Sequence, residues 1–349
     1  GAIHVELVVY SPACVPLLLG SGDVPAGAGS DMQPLAYRSP DPAAPPTAPC
    51  ATPVPTPTPT AAPTATPAPG DETALVEAEH PAGPGAWGVA VSQAGTAWVT
   101  NAEARTVTRI AADGSALPML TVGREPRGVA LTGAGQAWIA LAGENAVVRV
   151  SAAGAILGRT SVTSTPWKVA LDGAGRAWVT HPEKKRISVI RPDGTVEDTH
   201  KVDKEPDGIA IAADGTAWYT SGPRDKVVHL GTNGRELGEV TVAGEPTDLA
   251  IGPDGHVFVV SATGLTELSA TGQRLATTAL GVAPAFVAVD PLRRAWVTQA
   301  GAATVVVSGP TGFHAGMAGL EPPAGVAIGP DGDAWVANPA DATVYRLAR

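Results

Sequence analysis

Short apolar runs that alternate with small or polar residues recur along most of this chain at an interval of about forty residues. The runs are GVAVSQAGTAWVT (88–100), GVALTGAGQAWIA (128–140), KVALDGAGRAWVT (168–180) and GIAIAADGTAWYT (208–220). They continue as DLAIGPDGHVFVV (248–260), FVAVDPLRRAWVT (286–298) and GVAIGPDGDAWVA (325–337), with successive starts 40, 40, 40, 40, 38 and 39 residues apart. Alternation broken by Gly turns predicts strands rather than helices, and a period near forty suits a four-stranded blade. The pattern predicts an all-β chain built as a seven-bladed β-propeller over residues 72–349.

The register inside the repeat gives a physical reason for that fold. Ala90, Ala130, Ala170, Ala210, Ala250, Ala288 and Ala327 stand in the first strand, and eight residues after each comes Trp98, Trp138, Trp178, Trp218, Phe258, Trp296 or Trp335. Blades converge at the axis, where small side chains fit, and diverge outward, where a large ring fills the space between sheets packed about 10 Å apart. A third strand follows in each copy, from Val107–Ile110 to Val344–Leu347, with the fifth copy two residues short between strands two and three. Third-to-fourth turns carry Gly114, Gly154, Gly194, Gly234, Gly272 and Gly312, several as Asp-Gly or Asn-Gly pairs. The seventh copy stops after its third strand, and a spare strand, Thr73–Glu79, precedes the first. The spare strand is expected to complete the last blade, because an open seventh blade would leave an unpaired edge.

The chain before the repeats reads differently. Residues 1–50 form an arm whose start, IHVELVVY, places Ile3, Val5, Leu7 and Val9 on one face of a strand, with GSGDVPAGAGSD read as turn and loop. Residues 51–71 form a Pro/Thr-rich linker, a polyproline II spacer of roughly 60 Å at about 3.1 Å per residue. Cys14 and Cys50 are the two cysteines of the chain. With no further ligands beside them they read as a disulfide rather than a metal site. Such a bridge would contribute about 4 kcal/mol on the chain-entropy argument. It implies an oxidising compartment, and the chain opens on Gly1 rather than Met, so a secreted or cell-surface location is expected.

Composition narrows the function. A net charge of −10, with no lysine before Lys168, gives no footprint for nucleic acid. No run approaches the roughly 18 apolar residues of a membrane span.

The pattern P-x-G-I/V-A-x-G-P-D-G-x-x-W-V, carried best by Pro323–Val336 and Pro206–Tyr219, resembles the streptogramin B lyase and NHL-repeat propellers over residues 72–349. The resemblance implies a propeller fold that serves as a lyase, a lactonase, a binding platform or a scaffold. For the lyases it implies a magnesium ion and a His/Glu/His set, with a base removing a substrate proton while the metal stabilises the developing enolate-like charge. The family commonly has Glu after the aromatic strand; here that position holds Asn101, Leu141, His181, Ser221, Ser261, Gln299 and Asn338. No residue matches the catalytic set, so no cofactor and no metal are expected, and His181 with Glu183 is the one weak catalytic pair. The alternative for that pair is a solvated loop beside Lys184, Lys185 and Arg186.

Loops entering the first strands carry Arg124, Glu125, Arg127, Lys168, Lys204, Glu205, Asp207, Glu245, Asp248 and Glu321. They read as a polar funnel for a small ligand or peptide, or as surface charge of mixed sign. The function expected is an extracellular, non-enzymatic assembly protein that forms an oligomer or filament with copies of itself through Ile3, Val5, Leu7 and Val9. The rivals are a lyase-like enzyme with an altered site and a propeller that binds a ligand, a surface glycan or another protein.

Overall fold

The computed structural model describes residues 3–10, 16–24, 76–280, 284–300, 303–309, 312–318 and 323–348. The chain divides into two units, Gly1–Ala65 and Thr66–Arg349. In the first, Ile3–Tyr10 pairs antiparallel with Pro16–Val24, with a register shift between Leu7 and Val8. The arm strand therefore has a partner within its own unit, and Gly20–Val24, read from the sequence as loop, is strand. Cys14, Cys50, the linker and Glu321 lie outside the described residues.

The second unit is a ring of seven four-stranded antiparallel sheets. Its third blade shows how each is made. Val169–Leu171, Ala177–His181, Arg186–Ile190 and Val196–Lys201 pair in sequence order. Asp172 makes the first turn by accepting the N–H groups of Ala174 and Arg176 at 3.0 and 2.9 Å. A 3₁₀ turn, Pro182–Lys184, joins the second and third strands. Asp193-Gly194 makes the last hairpin, with Gly194 at φ +94°, where a side chain would be strained. The fifth blade replaces the 3₁₀ turn by a tight hairpin between Ser261 and Gly264, which accounts for its two missing residues.

The alanines and the large rings of the repeat stand directly opposite each other in all seven blades, from Ala90 against Trp98 to Ala327 against Trp335. Every second strand is buried along its whole length. Each ring packs onto the next blade: Trp178, for instance, lies against Ile209, Ala217 and Tyr219. Trp335 of the last blade packs against Ala97, Val99 and Ile110 of the first, so the same wedge closes the ring. Closure by an N-terminal strand is also as expected. Val76–Pro81 pairs with Thr343–Leu347 as the fourth strand of the last blade.

A second kind of joint ties neighbouring blades near the axis. The Thr180 hydroxyl accepts the Lys168 N–H at 3.1 Å and donates to the Asp207 carbonyl of the next blade at 3.0 Å. Thr100 does the same between Gly88 and Arg127, and Thr220 between Gly208 and Thr247. Blades two and seven have Ala140 and Ala337 in place of the threonine. There the Gly128 N–H reaches the Trp167 carbonyl directly at 3.0 Å, and the Gly325 N–H reaches the Trp87 carbonyl at 2.8 Å. This approach requires glycine, since a Cβ on residue 128 would stand 2.8 Å from the Trp167 oxygen. These joints fix the backbone of the residues that enter each first strand.

Candidate functional site at the mouth of the ring axis

A recess of about 150 Å³ is lined by residues from the first strands of all seven blades, which places it on the ring axis. Its walls are formed at two successive chain positions. The first of these is held by Gly88, Gly128, Lys168, Gly208, Asp248, Phe286 and Gly325 around the ring and the second by aliphatic residues such as Val89 and Leu249, while the position before both carries Trp87, which also lines the recess, and Arg127, Trp167 and Asp207. Where four blades keep glycine for close backbone approach, three place a lysine, an aspartate and a phenylalanine.

Three rings cluster at the mouth, and two of them, Trp87 and Phe286, line the recess. Trp87 meets Trp167 edge-on at 5.4 Å between centroids and Phe286 edge-on at 5.1 Å. The Arg127 guanidinium lies over both indoles, 5.4 Å from the Trp87 ring and 5.0 Å from the Trp167 ring. The Lys168 ammonium lies 4.3 Å from the Phe286 ring and 5.2 Å from Trp87. Each such contact is worth about 0.5–2 kcal/mol, more as water is excluded. Lys168 Nζ also pairs with Asp248 Oδ1 at 3.2 Å, and Asp248 Oδ2 accepts the Val287 N–H.

Burial dominates the acid chemistry here. It pushes the Asp207 carboxyl up to about 6, with the Asp248 charge adding to the rise, against the pull of the Lys168 ammonium and the Trp167 indole N–H. The Asp248 carboxyl is also raised by burial, opposed by Lys168. The mouth thus holds a carboxyl poised near neutral pH beside a fixed ammonium and aromatic walls.

Among the residues singled out from the sequence, Arg127, Lys168, Asp207 and Asp248 come together at the mouth. Of the others, Lys204 pairs with Glu239 at 2.6 Å, Glu205 pairs with Lys185 at 2.9 Å, and the Arg124 and Glu245 N–H groups are taken by Glu144 and Asp225. His181 is completely buried, not part of a solvated loop. Its Nδ1–H donates to the Ser164 carbonyl at 2.9 Å and its Nε2 accepts from the Ser188 hydroxyl at 2.9 Å. Burial holds its pKa below the ordinary histidine value, so it stays neutral. Glu183 is exposed and accepts the Thr165 hydroxyl at 3.1 Å. The structure does not join the two into one site.

Sequence reasoning missed Trp87, Trp167 and Phe286. A signal was present: six of the eight tryptophans fall on the blade register, and Trp87 and Trp167 are the two that do not.

The residues at the mouth do not fit the magnesium ion that the lyase resemblance implies. Among the described residues no three His, Cys, Asp or Glu side chains converge to hold a metal. The two carboxylates that do share the mouth already face the Lys168 ammonium, and a divalent ion beside that ammonium would be repelled.

Among solved structures, a streptogramin B lyase is similar to this chain at 18% identity and a TM-score of 0.70, covering 77% of this chain and 94% of its own. A catalytically inactive virginiamycin B lyase from Staphylococcus aureus, with quinupristin, matches at 18% identity and a TM-score of 0.70 over 76% of this chain and 95% of its own. Hydrazine synthase from Kuenenia stuttgartiensis matches at 18% identity and a TM-score of 0.69, over 76% and 96%. These likenesses show the propeller fold. No curated protein matches the sequence. The profile of the virginiamycin B lyase family matches residues 70–270, more than half of the chain, and this protein belongs to that family.

Proposed function

We propose that this chain is a secreted binding propeller of the family, which takes a small ligand at the axis mouth and does not carry out the lyase reaction. One observation carries the reading: Lys168, paired with Asp248 and seated over Phe286 and Trp87, gives the mouth a built-in cation and not a set of metal ligands. An ammonium can hold and orient a ligand, but it offers no vacant coordination position to polarise a carbonyl. The secreted location rests on the Pro/Thr-rich run and the two cysteines of the sequence. The test is direct. With magnesium and quinupristin, the full chain is expected to leave the compound intact by mass spectrometry. Turnover above buffer that is abolished by Asp207→Asn or His181→Ala overturns the reading.

A second reading, assembly through the arm, is favoured by a separate observation. Ile3–Tyr10 and Pro16–Val24 make a two-stranded sheet with which no third strand pairs among the described residues, and a two-stranded hairpin is marginal in water until a further strand or surface covers it. A neighbouring copy could supply that cover at the outer edge of a blade, by strand addition. Residues 72–349 alone should then remain monomeric by light scattering where the full chain oligomerises or forms filaments. Identical behaviour of the two removes the arm as connector.

A further inference from the structure

The two cations at the axis mouth are not paired alike, and the difference indicates what the mouth takes. Lys168 is answered by Asp248 at 3.2 Å. Arg127 is not answered: among the described residues no carboxylate pairs with it, and its buried Nε has no hydrogen-bond partner. Its positive charge is held in place by two indole rings instead. An aromatic cluster of this kind would receive an ammonium ligand if its ring faces were bare. Here the chain's own Arg127 and Lys168 cover them, and a second cation would meet repulsion rather than an empty cage. The recess of about 150 Å³ is about the volume that admits a benzene-sized body, and its aromatic and aliphatic walls favour a flat one.

We infer that the mouth, if it is the ligand site just proposed, takes a small organic anion with a planar or aromatic body, its acid group on Arg127 and its flat body in the recess beside Trp87 and Phe286. The guanidinium fork suits a carboxylate, which can accept two parallel N–H donors. Lys168, anchored by Asp248, adds a second attractive charge without having to be gathered on binding.

The same groups make the binding depend on pH. Asp207 faces Lys168, Asp248 and the Trp167 indole, and Arg127 lies over that same indole from the second blade. Its carboxyl, raised to about 6, is neutral below that pH and negative above it. Ionised Asp207 competes for the cations, so an anion should bind more tightly below pH 6 than above.

The experiment titrates the full chain with benzoate, benzamide and benzylammonium at pH 5.5 and 7.5, by calorimetry and ligand-observed NMR. Benzoate is expected to bind at least tenfold more tightly than benzylammonium, and several-fold more tightly at pH 5.5 than at 7.5. Arg127→Gln, with an unchanged circular dichroism spectrum, should weaken benzoate at least fivefold, and Asp207→Asn should abolish the pH dependence. Benzamide or benzylammonium binding as well as benzoate overturns the anion inference while supporting the mouth as a ligand site. Benzoate binding untouched by Arg127→Gln overturns the inference, because the anion then sits elsewhere. If none of the three binds at millimolar concentration, the inference and the ligand-site reading fall together.

Discussion

The wedge between blades and the mouth of the axis are built from neighbouring positions of the same first strand, yet they treat repetition in opposite ways. At the wedge, alanine opposite a large ring recurs seven times, with one Phe258 among six tryptophans. Two residues earlier, at the mouth, the same strand carries Gly, Gly, Lys, Gly, Asp, Phe and Gly. The difference follows from geometry. Each wedge touches only the next blade, so every copy solves the same packing problem. At the mouth all seven copies approach one point, and a substitution in one blade is seen by the others. Repetition there would place seven like groups together, whereas single departures let Lys168 and Asp248, eighty residues apart, form one pair.

Breaking the wedge is expected to have the largest effect. Deleting Val76–Pro81 removes the fourth strand of the last blade, uncovers Thr343–Leu347 and takes away His80, which stacks on Trp335 at 5.5 Å. Loss of several kcal/mol should lower Tm by more than about 10 °C. A deletion that melts like the parent in calorimetry would show that the ring does not depend on this closure.

A smaller change sharpens the link between wedge and mouth. Thr180→Val leaves the Lys168 N–H and the Asp207 carbonyl without the hydroxyl that joins them, at a cost of about 1–3 kcal/mol in urea unfolding. Thr100→Val should cost a similar amount. Only Thr180→Val should also loosen Lys168 and Asp207, seen as a shift in the Asp207 titration by NMR. Equal titrations in the two variants would separate the joint from the mouth.

The smallest effect concerns pH. Because the Asp207 carboxyl is raised in the folded chain to about 6, the folded state holds a proton that the unfolded chain gives up nearer 4. Its contribution to stability is therefore complete below about pH 4 and is lost as pH rises through about 6. Asp207→Asn should remove that part of the slope and leave the protein more stable at pH 7 than the parent. An unchanged slope between pH 4 and 7 in denaturant melts would assign Asp207 an ordinary environment.

His181 marks where sequence reading stops short. Its residue type and its place after the aromatic strand singled it out, but its role depends on Ser164 and Ser188, which reach it from an incoming loop and from the third strand. Nothing in the repeat register predicts that both ring nitrogens are occupied.

The ring can be read from the order of residues alone. Alternation set the strands, the forty-residue period set seven blades, the alanine and aromatic positions set the wedge, and the strand left over at the start set the closure. These are local and nearest-neighbour requirements, so they repeat and can be read in one dimension. The hairpin partner of Ile3–Tyr10 and the aromatic cluster of the mouth escape that reading, although Arg127, Lys168, Asp207 and Asp248 stand out in the sequence as charged loop residues. Only closure of the ring brings those four residues together with Trp87, Trp167 and Phe286. Seven segments forty residues apart acquire a common point there, and charge, burial and stacking act on one another only once that point exists.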